Sequence, residues 1–258
     1  MKKTFNSMLI LSVMLISMNN SVSAQKSYAA TKQLSLTFTS EEGTNGTSVA
    51  WNPIKKMYYA VIAGNASFPL ETFSEDGRML FNGEASVDVR GMWFNPKTKK
   101  LEGNCAGDGG YFSASISSYG EPSQAEITTA GQNQPDFNNV GALDAKKKKV
   151  YFYQDGQIYA YKAKGGSALP SIKLSNLPCD ISSINMTTVI FTGRKGEELG
   201  VLDYDAKRVY LFDLKGNYKA VVSLPANAVT HDMFRFSYAN DKIWLYDVDT
   251  KTWTGYSF

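Results

Sequence analysis

Short runs rich in Val, Ile, Tyr, Phe and Trp recur along the chain, and Gly, Asp, Asn and Lys separate them. Residues 57–62, 149–153, 157–162, 208–212 and 242–246 are the clearest of these runs. They follow a two-residue period, which puts alternate side chains on opposite faces of an extended chain and so predicts strands. Past residue 24, no stretch longer than a dozen residues carries a helical stripe. An all-β protein is predicted.

The breaks between runs have turn chemistry. Residues 75–77, 155–156, 214–216 and 247–251 read as hairpin connections, with Gly or Asp supplying the positive φ of a tight turn. Trp51-Asn52-Pro53 with Lys55 and Lys56 matches Trp93-Phe94-Asn95-Pro96 with Lys99 and Lys100. Further copies run from Val140 through Asp144 to Lys148 and from Leu199 through Asp203 to Lys207. The Asn or Asp positions are spaced by 43, 49 and 59 residues. Repeats of this length, each with four strands, predict propeller blades.

The expected fold is a β-propeller of four-stranded antiparallel blades, five rather than six. The blades are placed at residues 47–83, 87–127, 138–174, 184–224 and 231–258. The fifth shows three strands, and the run at 32–38 supplies its fourth. That closes the ring and removes an exposed edge. A β-sandwich or larger barrel is the alternative, and the recurring Asn/Asp turn argues against it.

Trp51-Asn52-Pro53 and Leu202-Asp203-Tyr204-Asp205 resemble the repeat units of secreted bacterial β-propellers of the lactonase-like and NHL-like kind. The segment 242–253 is similar to the closing strands of a kelch blade. The kelch double glycine before Lys242 and the NHL-like glycine after the turn aspartate are missing. The resemblance therefore implies the propeller and transfers no active residue.

The N-terminus changes the picture of where the fold works. Lys2 and Lys3 precede an apolar stretch from Met8 to Met18, and Ser21-Val22-Ser23-Ala24 has the small residues of a cleavage site. This predicts a signal peptide over 1–24 and one propeller domain over 25–258. The apolar stretch is too short to span a bilayer comfortably, so a periplasmic or secreted protein without stable membrane insertion is expected. The full chain has 27 Lys and Arg against 24 Asp and Glu, and losing the two leader lysines leaves +1. The clusters at Lys97, Lys99 and Lys100 and at 146–149 fall on turns. Nucleic acid is excluded as a partner, because it needs a larger and continuous basic surface. Cys105 and Cys179 allow one disulfide or two separate thiols.

Candidate chemistry is sparse. No nucleophile elbow, phosphate loop, dinucleotide fingerprint or zinc-protease motif is present. The loops expected on the binding face include 84–90, 106–111, 133–139, 176–183 and 225–232. They nominate Arg90, Asp108, Tyr111, Asp136, Asp180 and His231 as ligand-binding residues, and Arg235, one of the few arginines, is added to them as a partner for a carboxylate or sugar acid. His231 is the one histidine, and its neighbour Asp232 would orient it as a base only if the two side chains met, which adjacent strand residues do not. Asp108-Gly109-Gly110, with Asp136 or Asp180, is a possible corner for calcium, which needs six or more oxygens; no other metal or cofactor is indicated. Trp51 and Trp93 recur at equivalent positions and read as core, while Tyr111, Phe112 and Trp253 read as exposed platforms. Three function classes follow. One is a binding module for a peptide, protein or carbohydrate of the cell envelope. The second is a metal- or carboxylate-dependent hydrolase or lyase acting on glycans or lactones. The third is a structural envelope component.

Overall fold

The computed structural model describes residues 25–40, 43–64 and 68–258. The leader expected over 1–24 lies outside them. Two strands open the described chain, β1 (Lys26–Ala29) and β2 (Thr31–Thr37), and both find their partners late in the sequence. Blade one is β3 (Asn45–Asn52), β4 (Met57–Ala63), β5 (Pro69–Ser74) and β6 (Met79–Glu84). Blade two is β7 (Val89–Asn95), β8 (Lys100–Cys105), β9 (Tyr111–Ala114) and β10 (Glu126–Thr129). Blade three is β11 (Ala142–Asp144), β12 (Lys149–Gln154), β13 (Gln157–Lys162) and β14 (Ala168–Lys173). Blade four is β15 (Ile190–Phe191), β16 (Leu199–Asp203), β17 (Arg208–Phe212) and β18 (Tyr218–Ser223). Blade five is β19 (Phe236–Ala239), β20 (Lys242–Asp247) and β21 (Thr252–Ser257), completed by β2.

The five-bladed, all-β propeller expected from the turns is the observed architecture. β2 pairs antiparallel with β21, so the ring closes through the N-terminal strand as expected. Leu36 of β2 is wholly buried at this closure, and burial of a leucine side chain contributes about 2 kcal/mol. The sequence offered no sign of β1. It lies parallel to β18 as a fifth strand on blade four, with Lys26 and Tyr28 both bonded to the buried carboxylate of Glu197.

The first strands, β3, β7, β11, β15 and β19, line the centre. They pack so closely that the channel narrows to a space of about 80 Å³ bounded by Ser48, Met92, Gly141, Val189 and Ser237. A Cβ on Gly91 would fall 2.5 Å from the backbone nitrogen of Gly141; glycine is required where two backbones approach this closely. Second and third strands are sandwiched between blades, which is why β4 and β12 read as nearly continuous apolar runs. Apolar side chains fill each seam between adjacent blades. The seam between blades two and three has four buried residues, Trp93, Tyr111, Val150 and Phe152. Every other seam has eleven or more.

One expectation needs correction. The Asp203 turn is not a fourth copy of the turn at Asn52, Asn95 and Asp144, because it joins β16 to β17 and not β15 to β16. Asn52, Asn95 and Asp144 stand between first and second strands, whereas Asp203 and Asp247 stand between second and third. All five accept a backbone N–H from the turn they open, and Lys56, Lys99, Lys148, Lys207 and Lys251 close those turns at positive φ. Local turn chemistry repeats, but its place in the blade moves by one strand, and the repeat interval lengthens accordingly.

Candidate functional site

Loops joining one blade to the next, and loops joining second to third strands, share one face of the ring, here called the upper face. Each inner strand starts there, so residues at the start of β7 and just before β19 surround the mouth of the narrowed channel. Arg90 and Arg235 occupy those positions.

Arg90 is 7% exposed. Its Nη1 pairs with the Asp88 carboxylate, and its Nη2 donates to Asn138 Oδ1 at 3.4 Å. The guanidinium carbon lies 5.2 Å from the Phe234 ring centroid and 6.0 Å from that of Phe137. Arg235 donates from Nη2 to Asn45 Oδ1 at 3.1 Å. In both arginines Nε is buried and has no acceptor among the described residues. A buried charge-bearing donor without a partner is a costly arrangement, so each is a natural point for an external acceptor.

The backbone beneath the mouth is strained. Phe234 and Arg235 are consecutive non-glycine residues at φ 49° and 54°, a region such side chains rarely adopt. Asn185 holds them there. Its buried amide donates to His231 O at 2.9 Å and Phe234 O at 3.0 Å, and the hydroxyl of Thr187 accepts from Phe234 N at 2.8 Å. Nothing in the sequence marked Asn185, Phe234, Phe137 or Asn138. They belong to no periodic run, and the positive φ falls on neither Gly nor Asn.

His231 and Asp232 correct a second expectation. They lie in a loop, where adjacent side chains need not diverge, and His231 Nδ1 is 2.7 Å from Asp232 Oδ1. Both are about two-fifths exposed on the upper face. On the upper face, four exposed apolar side chains stand on the loops that enter blades three, four and five: Phe137, Ile181, Met186 and Val229.

The remaining candidates separate. Asp108 is exposed in a short 3₁₀ turn, Gly107–Gly109. Asp136 accepts from Asn138 N, and Asp180 caps the 3₁₀ turn Ile181–Ser183. Bonds from the Ser182 backbone and side chain hold the Asp180 carboxyl below its usual range. Among the described residues no three His, Cys, Asp or Glu side chains converge as a metal site. Tyr111 is not a platform at the mouth. It is 3% exposed, donates to Asn133 O, and has its phenol pushed up by burial. Phe112 and Trp253 are likewise buried, at 3% and 0%. Trp93 is core as expected, and Trp51 stands half-buried against Tyr58. Arg194 stacks on Phe258 at 3.9 Å, away from the mouth. Cys105 and Cys179 are separate thiols, and burial pushes Cys105 up to about 12, which suppresses thiolate chemistry.

No protein-family model matches the sequence, and no curated protein matches it. Solved structures do. The glutaminyl cyclase of Myxococcus xanthus superposes with a TM-score of 0.59 at 10% identity, over 90% of this chain and 97% of that one. BamB from Moraxella catarrhalis aligns with a TM-score of 0.42 at 10% identity, over 89% of this chain and 98% of that one. The likeness to the first is a likeness of fold. The resemblance to bacterial propellers expected from the repeats therefore holds at the level of the propeller, and not of lactonase-like or NHL-like repeats in particular. Among the described residues no helix is long and apolar enough to cross a membrane.

Proposed function

We propose that this chain is an exported binding module of the cell envelope whose upper face takes an acidic, partly apolar peptide segment of another protein. The observation that supports this most directly is the pair of guanidiniums at the mouth, Arg90 buried and Arg235 half-buried, each with a buried Nε that meets no acceptor among the described residues. Arginine is suited to the planar oxygens of a carboxylate. The neighbouring Phe137, Ile181, Met186 and Val229 give apolar side chains a surface to cover. That combination favours a peptide over a carbohydrate, because aliphatic side chains stack poorly on sugars while they bury apolar peptide residues well. A fixed scaffold with loops converging on one mouth adds preorganisation.

The test is titration calorimetry with short peptides that alternate Glu and Leu, against the same peptides with Gln in place of Glu. Binding of the acidic set, weakened about tenfold or more by Arg235→Ala, is the expected result. Equal affinity for the Gln set would sink the reading.

A second reading rests on His231 and Asp232. A histidine held by a carboxylate on an exposed loop is the arrangement of a general base, and the fold also carries an enzyme, the glutaminyl cyclase of M. xanthus. The hydrolase or lyase form of this reading needs two carboxylates facing one substrate. At the mouth Asp88 is paired with Arg90 and Asp232 with His231. Turnover of glutaminyl peptides, glycans or lactones that disappears in His231→Gln would favour it over binding alone.

A further inference from the structure

A cleft of about 730 Å³ opens at the seam between blades two and three, within the size range of small-molecule sites. It shares no residue with the mouth. Its origin is visible in the packing. At three other seams, the loop before a blade's last strand closes down on the preceding blade. A methyl placed on Gly77, Gly120 or Gly216 would collide there with Ser35, Met57 or Lys173. The equivalent loop of blade three touches only the segment that follows blade two, where a methyl on Gly166 would collide with Asn133. A methyl on Gly165 would meet nothing within 4 Å, and the seam behind it is the one with only four buried core residues.

We propose that this cleft is a second binding site, for a small aromatic carboxylate. The walls include the rings of Trp93 and Tyr111, which suit a flat apolar body. Trp93 is 9% exposed, and its Nε1–H is buried without an acceptor among the described residues. Buried donors are met in nearly all native structures, so this one points to an acceptor supplied from the cleft beside it. Lys97, Lys100, Lys148 and Lys164 stand around the opening, and none is in an ion pair with a described residue. Glu102 is the only acidic residue lining the cleft. Both its oxygens are already engaged, by Asn95 Nδ2 at 2.8 Å and Thr98 Oγ1 at 2.7 Å. The local charge therefore favours an anion. Tyr111, nominated from the sequence for the mouth, serves this site instead.

The test uses the full chain with isotope-labelled indoles, with the Trp93 N–H resonance assigned by its loss in Trp93→Phe. Naphthoate is titrated against naphthamide, its uncharged counterpart. Naphthoate should move the Trp93 resonance saturably, and naphthamide should bind about tenfold or more weakly. The Lys97→Ala, Lys164→Ala double variant, altered only at exposed turn positions, should bring naphthoate toward the naphthamide level. Equal affinities for acid and amide, or a saturable shift at other indoles with Trp93 unmoved, would overturn the proposal, as would no saturable shift with either compound.

Discussion

The Arg90 guanidinium lies 5.2 Å from the centroid of the Phe234 ring, joining the inner strand of blade two to the loop that enters blade five. The ring occupies one side of the charge, and Asp88 and Asn138 take two of its nitrogens. Arg90 is thus held in place before any ligand arrives. Phe234→Leu keeps most of the apolar bulk and removes the ring face. It is expected to cost about 1 kcal/mol of stability, read as a shift in the urea midpoint at unchanged slope. It should also weaken acidic-peptide binding less than Arg235→Ala does.

Asn104 carries a larger share of the upper-face framework. Its Oδ1 accepts from Gly91 N and Gly141 N, both at 3.0 Å, and its Nδ2 donates to Gln134 Oε1 and Asn139 O. One buried amide therefore ties blade two to blade three where Gly91 and Gly141 meet, and it orders the loop that carries Asp136, Phe137 and Asn138. Asn104→Ala leaves two buried backbone N–H groups unpaired. A loss of about 2–4 kcal/mol is expected. Hydrogen exchange should rise first at Gly91 and Gly141, and a variant with native stability would contradict this assignment.

The ring was legible in the sequence because the side chains that make it are local signals. The Asn/Asp that opens a turn, the lysine that closes it and the alternating run that follows are all set by neighbours within a few residues. Leu36 and the strand around it were legible for the same reason, and the closure followed from counting strands. The mouth was legible only in part. Arg90 and Arg235 were found because arginines are few in this chain, and His231 because it is the one histidine. Phe234, Asn138 and Asn185 were not, because their roles depend on contacts across the ring. Strand β1 was missed because its partner, β18, lies almost two hundred residues away and its apolar content is low. The Asp203 turn misled for a physical reason: an Asx-capped turn with a left-handed lysine suits any hairpin of the blade, whichever strands it joins.

That left-handed lysine gives a prediction of its own. Lys99 is exposed at φ 59°, and its backbone N–H donates to Asn95 O at 2.8 Å. Left-handed backbone costs a side-chain-bearing residue about 1–2 kcal/mol, and glycine returns part of that gain through its freer unfolded chain. Lys99→Gly is expected to stabilise the protein by about 0.5–1 kcal/mol, seen as a small rise in Tm. Lys99→Val, branched at Cβ, should lower Tm instead.

Acid sensitivity should centre on Asp213. Burial alone would raise its carboxyl. Bonds from the Asn217 side chain and backbone and from Lys215 N, with Lys219 beside it, outweigh that and bring it from 3.8 down to about 2. The turn it organises bonds through Gly216 O to Ser175 at the end of blade three, so its loss loosens the seam between blades three and four. A carboxyl whose folded value is depressed contributes stability above its unfolded value, and that contribution is lost as pH falls from about 3.8 through about 2. On a turn in partial contact with solvent the contribution is about 1 kcal/mol. Asp213→Asn removes it at every pH. The variant should melt below the wild type at about pH 6 and converge with it below about pH 2. A Tm difference that stays constant across that window would show that Asp213 does not titrate from a depressed value.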